Sequence, residues 1–214
     1  MSNILIIIDI QKEYITLGRP FHLNGIDDSL TRASAALKFA RDNGWDIVHV
    51  QHSNGEHAEK FNPTTEHYDF VEGFEPIQGE MHFIKNDFSC YASREFSLYM
   101  DKKSLEGSNV YVMGYNSVMC CLSTLEEARR KGHKMNFIND ASLAKRLDGL
   151  DEIESHKVML SIYRAKGLAS ITSVNEVMQR HSPKVISNVS LFKHADDRAL
   201  DGAEHIASKV SVLK

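Results

Sequence analysis

Short unbroken runs of β-branched and aliphatic residues alternate along this chain with stretches whose apolar residues recur at helical spacing. No other feature restricts the fold as much. The runs cover residues 4–8, 46–51, 81–85, 109–113 and 134–138, with a weaker one at 184–187. Continuous runs of this kind predict strands covered on both faces. Between them, residues 28–43 place Leu30, Ala33, Leu37 and Ala40 on one stripe, and Asn43 and Gly44 supply a stop. Further helices are predicted at 118–131, 150–166 and 173–180. Strand followed by helix, repeated, predicts an α/β fold: a doubly wound three-layer αβα sandwich around a mainly parallel sheet of about six strands.

Composition narrows the function classes. The 214 residues carry 25 Lys and Arg against 29 Asp and Glu, a formal net charge of −4, with no basic run. Neither nucleic acid nor an anionic membrane is an expected partner. The opening apolar run lacks a basic leader and meets an acid at once, so neither a signal peptide nor a membrane span is expected. Cys90, Cys120 and Cys121 make an odd count with no scaffold spacing. They read as reduced thiols in a cytoplasmic protein.

In doubly wound folds ligands sit at the carboxyl ends of the strands. Three chemically capable residues fall there. Asp9 follows the first run, Lys85 ends the third, and Cys120 lies just past the fourth, where the chain turns into a helix. With Ser117 as N-cap, Cys120 occupies the first helical turn. The helix terminus and a nearby ammonium are expected to lower its thiol pKa from about 8.5 toward neutrality. Each residue has a bland alternative: a buried packing cysteine, an acid capping a turn, a lysine reaching solvent. Spacing alone does not choose between Cys120 and Cys121, which point about 100° apart on a helix. Together, an acid, a cation and a thiol at one rim suit a proton shuttle, an orienting charge and a nucleophile.

These residues also carry a family resemblance. The segment ILIIIDIQKEY resembles a D-x-Q opening, and MHFIK ending at Lys85 resembles the strand that brings a catalytic lysine. VMGYNSVMCCLST, with Ala128 and Gly132 after it, resembles G-x-x-[T/S]-x-x-C-V-x-x-T-x-x-x-A-x-x-x-G. Asp140-Ala141 resembles the following D-A step. The pattern is similar to the isochorismatase-like cysteine hydrolases, over roughly residues 4–180. The resemblance implies a hydrolase domain over residues 1–181. The remainder, 182–214, is an extension expected to pack on that domain or on a neighbouring subunit. It implies Asp9, Lys85 and Cys120 as the catalytic triad, with Cys121 on a position usually held by valine. It further implies an oxyanion hole from the backbone N–H groups of Asn116 and Cys120, and a cis peptide at Tyr115–Asn116. The activity implied is hydrolysis of a small amide or ureido compound through a Cys120 thioester, with no cofactor, in a homo-oligomer (dimer or tetramer). Tyr14, Phe88, Tyr91 and Tyr115 are candidate substrate contacts.

The chain departs from the family pattern in places. Arg94 replaces the usual threonine in Tyr91–Phe96, which is expected to alter the wall of the site. The aspartate of metal-binding nicotinamidases is missing after the second strand. His52, Glu56, His57 and His67 could ligate an ion, but their spacing does not match and no metal is expected. The His-x-Gln-His form at residues 49–52 instead resembles the streptothricin-hydrolase-like branch. Vinyl-ether hydrolysis without the cysteine, a redox role for the paired cysteines, and a non-catalytic member of the fold are the alternatives. A nucleotide-binding role finds no glycine-rich phosphate loop after the first strand.

Overall fold

A computed structural model describes residues 2–182. Six parallel strands form one sheet: β1 (Asn3–Ile8), β2 (Asp46–His52), β3 (Met81–Lys85), β4 (Asn109–Tyr115), β5 (Asn136–Leu143) and β6 (Ser170–Thr172). Their spatial order is β3-β2-β1-β4-β5-β6. Among the described residues the α-helices are α1 (Ile26–Asp42), α2 (Arg94–Leu105), α3 (Cys120–Arg130), α4 (Glu152–Lys166) and α5 (Val174–His181). None among the described residues is long and apolar enough to cross a membrane.

Alternation along each strand sorts the core into two halves. Ile4, Ile6, Ile8, Val48, Val50, Val110 and Val112 pack against residues of α2, α3 and α4, including Phe96, Leu125 and Tyr163. Leu5, Ile7, Ile47, Tyr111 and Met113 pack against α1 and α5 through Ala33, Leu37, Ala40, Val174 and Val177. This is the predicted three-layer sandwich.

The differences from the sequence reading have local causes. The sixth strand is Ser170–Thr172; the run at 184–187 and the extension 182–214 fall outside the described residues apart from Ser182. Helix α2 was not predicted, because only Phe96 and Met100 among its residues are buried. That leaves a two-residue stripe too narrow for periodicity to show. The hydroxyl of Ser93 caps it by accepting from the Phe96 N–H. Strand β3 is an edge and leaves Met81, His82 and Ile84 exposed, where cover on both faces was expected. Helix α4 begins with a reciprocal capping box between Asp151 and Glu154 and ends at Gly167, in the left-handed region.

At the carboxyl end of the sheet, Gly114, paired with Ile8 across β4 and β1, has φ +124, and a Cβ there would stand 2.1 Å from the Ile8 carbonyl oxygen. An ion cluster just before β3 anchors the other end of the β2–β3 edge. Glu80 accepts from Arg41 at 2.8 and 3.0 Å and from the Ile77 N–H at 3.0 Å, and lies 2.7 Å from His49 Nε2. Burial pushes the Glu80 carboxyl up, but Arg41, the Ile77 N–H and His49 outweigh it and hold the group at about 2.

Gly114→Ala is therefore expected to destabilise the protein by about 3 kcal/mol or more, through overpacking added to left-handed strain. Chemical denaturation checks this, and an unchanged midpoint would contradict it. A carboxyl held below its unfolded range stabilises the fold above about pH 4.5 and loses that effect as pH falls toward about 2. Glu80→Gln is expected to lower the denaturation midpoint at pH 7 and to flatten the midpoint's decline between those two pH values.

Candidate active site

In this topology the chain runs outward to β2 and β3 on one side of β1 and then crosses to β4 on the other. The crevice at the carboxyl ends of β1 and β4 is the switch point where such sheets bind ligands. Asp9 leaves β1 there with φ 51, an unusual left-handed conformation for a non-glycine residue, while its N–H stays bonded to Val50 O at 2.9 Å. Lys85 ends β3 directly opposite His52 of β2. Cys120 opens α3.

The three side chains converge. Lys85 Nζ lies 2.8 Å from Asp9 Oδ2 and donates to Cys120 Sγ at 3.3 Å. It also donates to His52 Nδ1 at 2.9 Å and to the Asp87 carbonyl at 3.0 Å. Asp9 is 0 % and Lys85 2 % exposed, so the charges face each other rather than water. Burial alone would push the Lys85 ammonium down, but Asp9 and then Cys120 outweigh it and keep the group protonated. The thiol departs from expectation. Burial, and next the Asp9 charge, push Cys120 well up, and Lys85 only partly opposes them.

The segment from Tyr115 to Cys120 is held from several sides. Its Tyr115–Asn116 peptide is cis. Asn116 Oδ1 accepts the N–H groups of Val118 and Met119 at 3.1 and 3.0 Å. Ser117 does not cap α3; Met119 occupies that position. The Ser117 hydroxyl instead lies 2.8 Å from His156 Nδ1, whose Nε2 is 2.9 Å from the Asn139 carbonyl. The Tyr163 hydroxyl donates to the Ser117 carbonyl. As the first residue of α3, Cys120 has an N–H with no acceptor one turn back in its own helix. Cys121 turns toward the core and directs its sulfur at the Gly114 carbonyl.

A cavity of about 270 Å³ opens onto Cys120, walled by the aromatic rings of Tyr14, Phe21, Phe61 and Phe88. His52, Asn54, Lys60 and Asp87 complete its polar side. Its size suits a small substrate. Burial, and next Cys120 and Asp9, push the Tyr14 hydroxyl well up, so it stays protonated. A roomier cleft of about 510 Å³ lies at the opposite end of the sheet beside Asn109, Asn136 and Ser170, away from these groups.

Of the four aromatic candidates, Tyr14 and Phe88 line the cavity and two do not. Tyr91 is buried on the α2–α3 side, with its hydroxyl 2.8 Å from His133 Nδ1. Tyr115 is buried on the α1 side, with its hydroxyl 2.8 Å from Ser29 Oγ. Both lie on short segments flanking the site, and their rings turn into the core to bury apolar area. Arg94 does not line the cavity; it borders a separate groove beside Ser53 and Glu95. Phe21, Phe61, Asn54 and Lys60 were missed, because long irregular loops carry them inward without periodicity.

The histidines and glutamate that could ligate an ion do not gather with one another. Among the described residues, Asp9, His52 and Cys120 are the grouped donors, and Glu56, His57 and His67 are not among them. The Lys85 ammonium already contacts all three donors, and a cation placed among them would face its charge.

Comparison with known proteins agrees with this architecture. The family model "Isochorismatase domain" matches residues 3–176. The uncharacterized isochorismatase family protein YddQ of Bacillus subtilis is 26% identical over 154 residues, covering 72% of this chain and 84% of that protein. An isochorismatase from Pseudomonas putida superimposes with a TM-score of 0.73 at 26% identity, covering 82% of this chain and 89% of that one. N-carbamoylsarcosine amidase from Thermoplasma acidophilum superimposes with a TM-score of 0.63 at 17% identity, over 81% and 97% of the two chains.

Removing one partner of a buried ion pair strands the other. Lys85→Met is expected to destabilise the fold by about 3–5 kcal/mol, and Asp9→Asn combined with Lys85→Met to recover a substantial part of that. Urea denaturation of the two variants decides it; equal destabilisation would show that the pair is not coupled.

Proposed function

The chain belongs to the isochorismatase family, and on that premise we propose that it is a cysteine hydrolase cleaving a C–N bond, amide or ureido, in a small molecule. One observation carries the reading: a buried carboxylate and ammonium from two other strand ends converge on the sulfur that lines the cavity, with Lys85 Nζ 3.3 Å from Cys120 Sγ and 2.8 Å from Asp9 Oδ2. A thiol held above its usual range needs a base at the moment of attack, and the adjacent Asp9 carboxylate is that base.

In this reading Asp9 takes the Sγ proton as sulfur attacks the substrate carbonyl carbon. The carbonyl π pair moves to oxygen, which the N–H groups of Asn116 and Cys120 receive. One such donor is typically worth about 3–4 kcal/mol in the transition state. As the tetrahedral centre collapses, the C–N bond breaks and Asp9 returns its proton to the leaving nitrogen. Water, deprotonated by the same carboxylate, then hydrolyses the thioester and restores the thiol. Lys85 keeps its charge throughout. It favours both the sulfur anion as it forms and the Asp9 carboxylate, so acid and nucleophile stay in register.

The test is an ammonia-release screen over small amides and ureido acids. The wild type is expected to release ammonia from at least one compound. Cys120→Ala and Asp9→Asn are each expected to lose activity by about 10³-fold or more, as when a member of a catalytic unit is removed. Ammonia release that survives in Cys120→Ala would overturn the thioester; no ammonia from any compound, with hydrolysis of a vinyl ether that persists in Cys120→Ala, would point to vinyl-ether chemistry instead.

A further inference from the structure

We propose that His52 is a positioning residue for Lys85, its neutral imidazole accepting one ammonium N–H hydrogen bond and so lessening the share directed at Asp9. The inference deepens the proposed function, since it rests on Asp9 acting as the base there. An ammonium has three N–H donors and no acceptor. Lys85 directs its donors at His52 Nδ1 (2.9 Å), the Asp87 carbonyl (3.0 Å) and Cys120 Sγ (3.3 Å). Asp9 Oδ2 stands 2.8 Å from the same nitrogen, so three N–H donors are shared among four neighbours. Every donor taken up by another acceptor is one fewer held by the carboxylate, which leaves its lone pairs freer for the thiol proton.

The surroundings of His52 fix which nitrogen can serve. Nε2 lies 2.7 Å from Asn54 Oδ1. An amide oxygen only accepts, so Nε2 carries the proton and Nδ1 is left as an acceptor facing Lys85. The backbone is pinned on both sides by Gln11, whose Oε1 accepts the His52 N–H at 2.9 Å and whose Nε2 donates to the His52 carbonyl at 3.1 Å. The ring of Phe61 packs edge-on at 4.9 Å. Burial and the neighbouring ammonium both hold the imidazole below its usual pKa, consistent with a neutral acceptor. Without His52, the freed ammonium proton has one near alternative, Asp9 Oδ2. A hydrogen bond to the charged carboxylate makes it a weaker base for the thiol.

Two readouts that need no substrate test this. The first is the imidazole nitrogen shifts of His52, by ¹⁵N NMR on the full chain. The expected pattern is a protonated Nε2 and an unprotonated, hydrogen-bonded Nδ1 at neutral pH. The second is the rate at which iodoacetamide alkylates Cys120 at neutral pH, followed by peptide mass spectrometry. His52→Leu is expected to slow it about tenfold, the lower end of what outer partners of a charged centre are worth. His52→Asn, whose side chain can present oxygen where Nδ1 stood, is expected to recover most of the rate. A merely structural histidine would leave Cys120 alkylation unchanged in a folded His52→Leu chain, and that result would overturn the proposal. So would a shift pattern with Nδ1 protonated. If His52→Leu does not fold, the nitrogen shifts and the His52→Asn rate still decide. Ammonia release failing on every amide while both readouts hold would sink the assigned reaction and leave the His52–Lys85 contact standing.

Discussion

The fully buried pairing of the Lys85 ammonium with the Asp9 carboxylate is the interaction around which the rest of this structure is arranged. Removing two such charges from water costs several kcal/mol per ion unless geometry and further hydrogen bonds offset it. Here the ammonium finds His52 Nδ1, the Asp87 carbonyl and Cys120 Sγ in addition to the carboxylate. Those partners come from β2, the loop after β3 and the start of α3, so the site is satisfied only when the sheet and its connections are complete. Folding and site assembly are in this sense one event.

Where β4 passes the end of β1, the convergence depends on a residue without a side chain. Gly114 has no side chain to oppose the Ile8 carbonyl, and its N–H is taken by the Ser142 hydroxyl at 3.1 Å. Between Val112 and Gly114 the pairing with β5 jumps from Phe137 to Ser142. The extra β5 residues include Asn139, whose carbonyl holds His156, which in turn holds Ser117. The irregularity in the sheet therefore supports the turn that presents Cys120.

Much of this was legible because it follows from short-range rules. Continuous β-branched runs gave five strands, and the strand ends named Asp9, Lys85 and Cys120. Cys121 could not be excluded by spacing, and its inward turn depends on where the Gly114 carbonyl lies. The acidity of Cys120 was misjudged because the helix terminus was weighed without knowing the depth of burial. His52 was weighed only as one of several loop histidines able to ligate a metal, with no metal expected; its pairing with Lys85 requires the β2–β3 register. Tyr91 and Tyr115 sit close to site residues in sequence, yet their rings turn to opposite faces of the sheet. Proximity along a chain does not settle which face a side chain takes at the end of a strand.

Burial of the thiol has a chemical consequence that unites these details. A thiolate stored at the bottom of an aromatic-walled cavity would be an uncompensated charge whenever the site is empty, and it would be open to oxidation. In the proposed mechanism a thiol raised by burial stays quiet until a base removes its proton. Such a design needs a carboxylate that is charged, close and not already occupied by hydrogen bonds. The left-handed backbone at Asp9 turns the carboxylate out of the strand line, and Asp tolerates that conformation better than most residues. The Lys85 ammonium stands 2.8 Å from its Oδ2, and the other acceptors around that ammonium compete for the same donors. The same three groups arranged with the ammonium bonded squarely to the carboxylate would be an equally good ion pair and a poorer proton acceptor.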